Sequence, residues 1–209
     1  SSDVCSSDLE QFRNQYPFHT LLNLKPILAE LRLRKEPEEI DAMQKAIDIT
    51  GKALDRIFKT IKPGISEKEL EAEIAHEFML HHSNGFAFEP IVASGKNATV
   101  LHYNNNNDVC RDNELLLLDF GAEYRNYAAD ITRTFPVNGR FSTRQKECYQ
   151  AVLEVMETVQ KDIKPGITIK ELNDKIIEQL IEKHIQLGLY KREGMENNEN
   201  PIWKNYFPH

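Results

Sequence analysis

The decapeptide IKPGISEKEL at residues 61–70 returns almost unchanged as IKPGITIKEL at residues 163–172. In both copies Lys-Pro-Gly stops one helical pattern, and a Ser or Thr followed three residues later by Glu opens the next as a capping box. Two readings follow. Pro-Gly before a capping box is common punctuation between helices; alternatively, the chain repeats an α+β half. The interval from Ile61 to Asp119, applied to Ile163, runs past His209. On the second reading the second sheet is expected to be missing.

The hydrophobic period supports a chain of helices flanking a sheet. From Pro37, residues Ile40, Met43, Ile47, Leu54, Ile57 and Ile61 recur at helical spacing, with Pro at an early helical position. A second helix opens on the Ser66/Glu69 box and carries Leu70, Ile74 and Phe78 as its stripe. The period then shortens. FAFEPIVASG, TVLHY, ELLLLDFGAEY and NYAADITRTFPV are rich in β-branched and aromatic residues and are separated by turn signals, as expected of an antiparallel sheet. Two further helices start at Ser142/Gln145 and Thr168/Glu171, and the segment from Gly188 to His209 reads as loop. The opening SSDVCSSDL shows neither period and is expected to be a non-native leader or artefact, residues 1–9.

Charge and cysteine content narrow the partners. A net charge of -7 with scattered Lys and Arg presents no basic face for nucleic acid or anionic lipid. Cys5, Cys110 and Cys148 are an odd number without metal-type spacing, which favours a reducing compartment over a disulfide framework. No apolar run reaches the length of a membrane span. A cytoplasmic protein is the expectation.

The chemistry concentrates in two aspartates. Asp119 follows four leucines, and Asp130 lies eleven residues on in another strand-like run. A hairpin turn centred on Tyr124 and Arg125 would set them directly across a ladder, and one centred on Arg125 and Asn126 would make them diagonal neighbours. Both registers put the carboxylates on one face. Like charges so placed destabilise a sheet unless solvent exposure, a shared proton or a bound cation offsets the repulsion. The leucine run suggests a strand buried on both faces, which disfavours exposure. The Asp-Thr/Ser-Gly motif of an aspartic-protease dyad is absent, since Asp119 is followed by Phe-Gly. One or two divalent cations are the economical answer.

The stretch LLLLDFGAEYRNYAADITRTFPVNGRFSTRQKECYQAVLE resembles the catalytic domain of the aminopeptidase P (Xaa-Pro aminopeptidase) family. That family belongs to the pita-bread metallopeptidases, with prolidase and methionine aminopeptidase. The likeness runs from LRLRKEPEEIDAMQKAIDITGKAL through FEPIVASGKNATVLHY to the final YFPH. It implies an α+β pita-bread fold of two pseudo-symmetric halves, the first complete and the second truncated. On this reading residues 10–35 are a linker from a missing N-terminal domain, and 36–209 a partial catalytic domain.

The resemblance also assigns roles. Asp119 corresponds to an aspartate holding one metal, and Asp130 to one bridging two, in a dinuclear site usually of manganese. His102 matches a histidine facing the substrate. His209 matches the first histidine of a His-Gly-x-x-His motif, which lines the substrate site; the metal-binding histidine and both glutamates are absent from this sequence. The implied function is metal-dependent removal of an N-terminal residue linked to proline, acting on peptides with proline second, in a homo-oligomeric parent. The fragment alone is expected to be inactive. Prolidase-type dipeptidase activity and an inactive peptide-binding module are the alternatives. His76, His81 and His82 are expected at a surface or in packing, His19 and His184 have no evident partner, and Tyr103, Tyr124 and Tyr127 read as ordinary strand residues. Arg133, at an odd interval from Asp130, is expected on the other face.

Overall fold

The computed structural model describes residues 6–192. Six helices and six strands follow one another as α1 (Ser6–Gln15), α2 (Lys25–Leu33), α3 (Pro37–Thr60), α4 (Glu67–Leu80), β1 (Gly85–Phe86), β2 (Ile91–Ser94), β3 (Leu115–Phe120), β4 (Ala122–Tyr124), β5 (Tyr127–Ala128), β6 (Ile131–Pro136), α5 (Thr143–Asp162) and α6 (Ile169–Gln186). The expected α+β order is present. The IKPG repeat is structural too: Gly64 and Gly166 take φ of 95° and 98°, and Ile65 and Ile167 each donate 3.2 Å to the lysine carbonyl three residues back. Positive φ at the third position of a Pro-led turn is where glycine is required. The Ser66/Glu69, Ser142/Gln145 and Thr168/Glu171 capping boxes all form.

Two antiparallel sheets, β2-β3-β6 and β1-β4-β5, share one long hairpin. Asp119 pairs with Thr132 and Phe120 with Ile131 on one side of the break; Glu123 pairs with Ala128 and Tyr124 with Tyr127 on the other. The register is unchanged across it. Arg125 and Asn126 both take positive φ (52° and 67°), the signature of a two-residue primed turn. This selects the second of the two registers considered, so Asp119 and Asp130 are diagonal neighbours on one face.

Helices α3 and α4 cover the other face. Leu70, Ile74 and Phe78 of α4 pack with Val92, Leu116, Leu118 and Phe120 in one core, as the stripe implied. In α3 the buried set is Ala42, Ala46, Ile49, Thr50, Ala53 and Ile57, whereas Ile40 and Ile47 are 55% and 48% exposed. The stripe of large aliphatics was therefore misphased. Small side chains bring the helix backbone close enough for the Ala122 amide to donate 2.9 Å to Thr50 Oγ1, which itself donates to the Ala46 carbonyl.

Three further expectations are corrected. Strand β3 is not buried on both faces: Leu116, Leu118 and Phe120 are buried, while Leu115, Leu117 and Asp119 are only half covered, because helices lie on one side alone. The TVLHY segment is not a strand; a 3-10 turn over Gly95–Thr99 leads into an irregular loop with His102 at φ 53° and Asn106 at φ 47°. The opening stretch without period already contains helix, since α1 starts at Ser6. Helices α5 and α6 pack on each other through Ala151, Val155 and Val159, with Leu172, Ile176 and Leu180 half-buried.

Gly121 sits at the break between β3 and β4, where a Cβ would collide with the backbone carbonyl of Ala129. The two strands pinch together there. Gly121→Ala must therefore push the ladder apart between the aspartates, with an expected loss of about 3 kcal/mol or more. The measurement is the urea midpoint and slope of the variant against the parent; an unchanged midpoint would refute the pinch.

Candidate metal centre

Asp119 is the penultimate residue of β3, and Asp130 immediately precedes β6. Phe120, between Asp119 and the Gly121 pinch, is fully buried on the helix side and so turns its aspartate neighbour to the half-covered face. Asp119 Oδ1 is buried without a hydrogen-bond partner, and Asp130 is exposed. Exposure, set aside on the sequence, thus relieves one carboxylate but not the other. Burial pushes the Asp119 carboxyl above its ordinary pKa; Thr132, opposite it on the ladder, pulls it down, the neighbouring Asp130 raises it, and the charge of His102 lowers it. The loop histidine is therefore close enough to be felt at Asp119.

An orphaned, buried carboxylate oxygen beside a second carboxylate suits a hard divalent cation, which would satisfy the lone pairs and cancel the repulsion. Two donors are not a complete site. Among the described residues no group of three or more His, Cys, Asp or Glu could hold a metal ion. His209 lies outside the described residues.

The remaining histidines and tyrosines are placed as follows. His76 and His82 are exposed, and His81 Nε2 lies 3.0 Å from Glu77 Oε1 at the end of α4. His184 does have a partner, with Nδ1 3.2 Å from the Tyr190 hydroxyl. His19 lies in the exposed segment between α1 and α2. Arg133 pairs in register with Leu118, the face opposite Asp119. Tyr127 is more than a strand residue: its hydroxyl donates 2.6 Å to Glu39, tying the hairpin to the start of α3.

Sequence reasoning missed Glu67 altogether. This carboxylate is fully buried at the first turn of α4. Its Oε1 accepts from the Ser94 amide (2.7 Å), Ser94 Oγ (2.8 Å) and Asn97 Nδ2 (3.1 Å), and its Oε2 from the Tyr103 hydroxyl (2.7 Å) and the Asp108 amide (2.9 Å). Burial pushes the carboxyl up, but these donors outweigh it and hold the pKa below its ordinary value. The stability Glu67 gives is thus present above the unfolded pKa and is lost as pH falls through the folded one. A signal existed in the sequence: the two repeat copies differ at this position, Glu67 against Ile169.

The model of metallopeptidase family M24 matches residues 41–209. The chain belongs to that family. The Xaa-Pro aminopeptidase of Escherichia coli (strain K12) is 39% identical over 190 residues, which are 91% of this chain and 43% of that protein. Human Xaa-Pro aminopeptidase 3 is 36% identical over 186 residues, 89% of this chain and 36% of the other. Among solved structures, proline aminopeptidase P II from Yersinia pestis superposes with TM-score 0.80 at 37% identity, covering 88% of this chain and 44% of that one. Zinc-substituted E. coli aminopeptidase P in complex with product gives 0.81 at 37%, covering 91% and 46%. The fold is therefore part of the pita-bread fold, and the chain spans less than half the length of these M24 relatives. Membership implies a divalent metal. No helix among the described residues is long and apolar enough to cross a membrane.

The orphaned oxygen has a stability consequence. A carboxyl whose folded pKa exceeds its unfolded one keeps its proton longer in the native state, so stability is greatest below the unfolded pKa and falls as pH rises through the folded one. Asp119→Asn removes that fall. With chelator present at neutral pH the variant is expected to be about 1 kcal/mol more stable than the parent, with a flatter stability profile on the acid side. Urea melts at pH 4 and pH 7 decide it; a loss of stability at pH 7 would contradict the reading.

Proposed function

We propose that the protein to which this chain belongs is a metal-dependent aminopeptidase that removes an N-terminal residue linked to proline. The observation carrying this is the hairpin itself: in an M24 chain, Asp119 and Asp130 share one face, with a buried oxygen on Asp119 that nothing in the described protein satisfies. The Xaa-Pro specificity is supported by the relatives, two of which are Xaa-Pro aminopeptidases at 39% and 38% identity. A variant of E. coli aminopeptidase P superposing with TM-score 0.82 was solved in complex with substrate.

In this reading Asp119 holds one ion and Asp130 bridges two, most naturally manganese. Divalent ions there supply Lewis-acid polarisation of the scissile carbonyl and lower the pKa of water. Asp130 is exposed, so its carboxylate would be open to ions bound on that face. His102, on its irregular loop, faces the substrate and donates to the reacting peptide. His209 would line the same site. The protein works in the cytoplasm, where Cys110 and Cys148 remain free thiols. The 209-residue chain alone is inactive, because two carboxylates hold a cation loosely and do not fix a pair of ions.

The test compares this chain with one extended to the length of its relatives, assaying Xaa-Pro cleavage with added manganese. Activity is expected in the extended protein only; equal turnover in both would show that the ligand count is wrong. In the extended protein Asp130→Ala is expected to reduce kcat by more than about 10²-fold with loss of bound metal. His102→Ala is expected to reduce kcat by about 10²-fold with metal content unchanged. Metal loss in the His102 variant would refute its role as a substrate-facing group.

A further inference from the structure

The largest unexplained expenditure of polar groups lies away from the aspartates, at Glu67. A carboxylate with no exposed surface and five donors is more than a helix needs at its start. The second copy of the repeat provides an internal control. Helix α6 begins with the same turn and the same capping box as α4, yet carries Ile169 where α4 carries Glu67, and Ile169 is 80% exposed. Neither the turn nor the cap requires the acid. What Glu67 bonds is the end of β2 and the segment that follows it: Ser94 and Asn97 before His102, Tyr103 next to it, Asp108 after it.

Around His102 that segment has no strand ladder to hold it; only its later part is paired, through the Ser66–Val109 bridge. His102 and Asn106 both take positive φ, a conformation that a non-glycine residue keeps only where its surroundings fix it. Asn106 is anchored separately, accepting from the Val92 amide (2.9 Å) and donating to the Pro90 carbonyl (2.9 Å). Tyr103, directly after His102, is buried and reaches Glu67 Oε2 at 2.7 Å. Fixing Tyr103 fixes the backbone from which His102 departs. The Glu67 amide and the Asp108 carbonyl close a second link at 2.9 Å, so the helix start and the loop end move as one piece.

We infer that Glu67 is a positioning residue: acting through Tyr103 and the Ser94, Asn97 and Asp108 contacts, it sets the conformation of the loop that carries His102. The catalytic meaning of this rests on the proposed role of His102, whereas the structural coupling of Glu67 to His102 does not.

The experiment has two arms. In this chain, histidines are isotope-labelled and the His102 ring is followed by NMR in Glu67→Gln and in Tyr103→Phe, the latter keeping the core volume and removing one hydroxyl. Tyr103→Phe is expected to fold and to shift and broaden the His102 signals while leaving those of His76 and His184 in place; Glu67→Gln is expected to do so more strongly. Unmoved His102 signals in folded Tyr103→Phe overturn the inference, whether or not Glu67→Gln folds. In the protein extended to the length of its relatives, both variants are expected to lower kcat about tenfold or more with metal content unchanged. Combining either with His102→Ala is expected to add little further loss, because both act through one group. Full additivity overturns the inference. If His102→Ala alone costs nothing, the proposed role of His102 fails, and the NMR arm still decides the coupling.

Discussion

Two like charges on one face of a β-ladder are the constraint around which the rest of this chain is arranged. Diagonal placement still leaves the Asp119 carboxyl within reach of Asp130, and the exposure of Asp130 is what weakens the repulsion. Neither relieves Asp119 Oδ1, which is buried without a partner. The position is held because everything around it is over-determined. The Gly121 pinch, the primed turn at Arg125 and Asn126, and the Thr50 bond to the Ala122 amide each fix the register independently. A hairpin free to slip by one residue would send one carboxylate toward the core, at a cost larger than the repulsion it escaped.

The parts legible in the sequence are those with a strong local signal. Three capping boxes, the α4 stripe and the repeated turn are functions of residues a few positions apart and form as read, and of the two possible hairpin registers one is realised. The errors share a cause as well. The α3 face was assigned from large aliphatics, whereas close approach to β4 and β5 selects alanine and threonine, so Ile40 and Ile47 are left outside. Burial of β3 on both faces was inferred from four consecutive leucines, but composition alone does not say whether a second layer exists. In TVLHY, β-branched and aromatic residues suggested a strand; tertiary bonds from Glu67 and Asn106 impose a loop instead.

At the candidate site the division is the same. The aspartate pair was visible because a hairpin is a local object with a fixed period. Glu67 was not, since its partners range from Ser94 to Asp108 and no spacing rule links them. Only the mismatch between the two repeat copies pointed to it. A duplicated unit keeps what both halves need for folding, and a position where the copies diverge from a buried acid to an exposed isoleucine marks a demand peculiar to one half.

That divergence also explains why a charge rather than an apolar contact holds the loop. A strand satisfies its backbone groups through the ladder, but a segment that must turn His102 outward at positive φ loses that pairing, and its amides need acceptors of another kind. An ionised carboxylate can serve several donors at once, and at the first turn of a helix its charge is favoured by the free amides there. Glu67 occupies such a place. Its lowered pKa is the consequence of serving those donors. The loop is thereby tied to α4, α4 packs on β2, and β2 pairs with β3, which carries Asp119 next to its end. The histidine and the carboxylates, though on unrelated pieces of chain, are thus referred to one rigid frame.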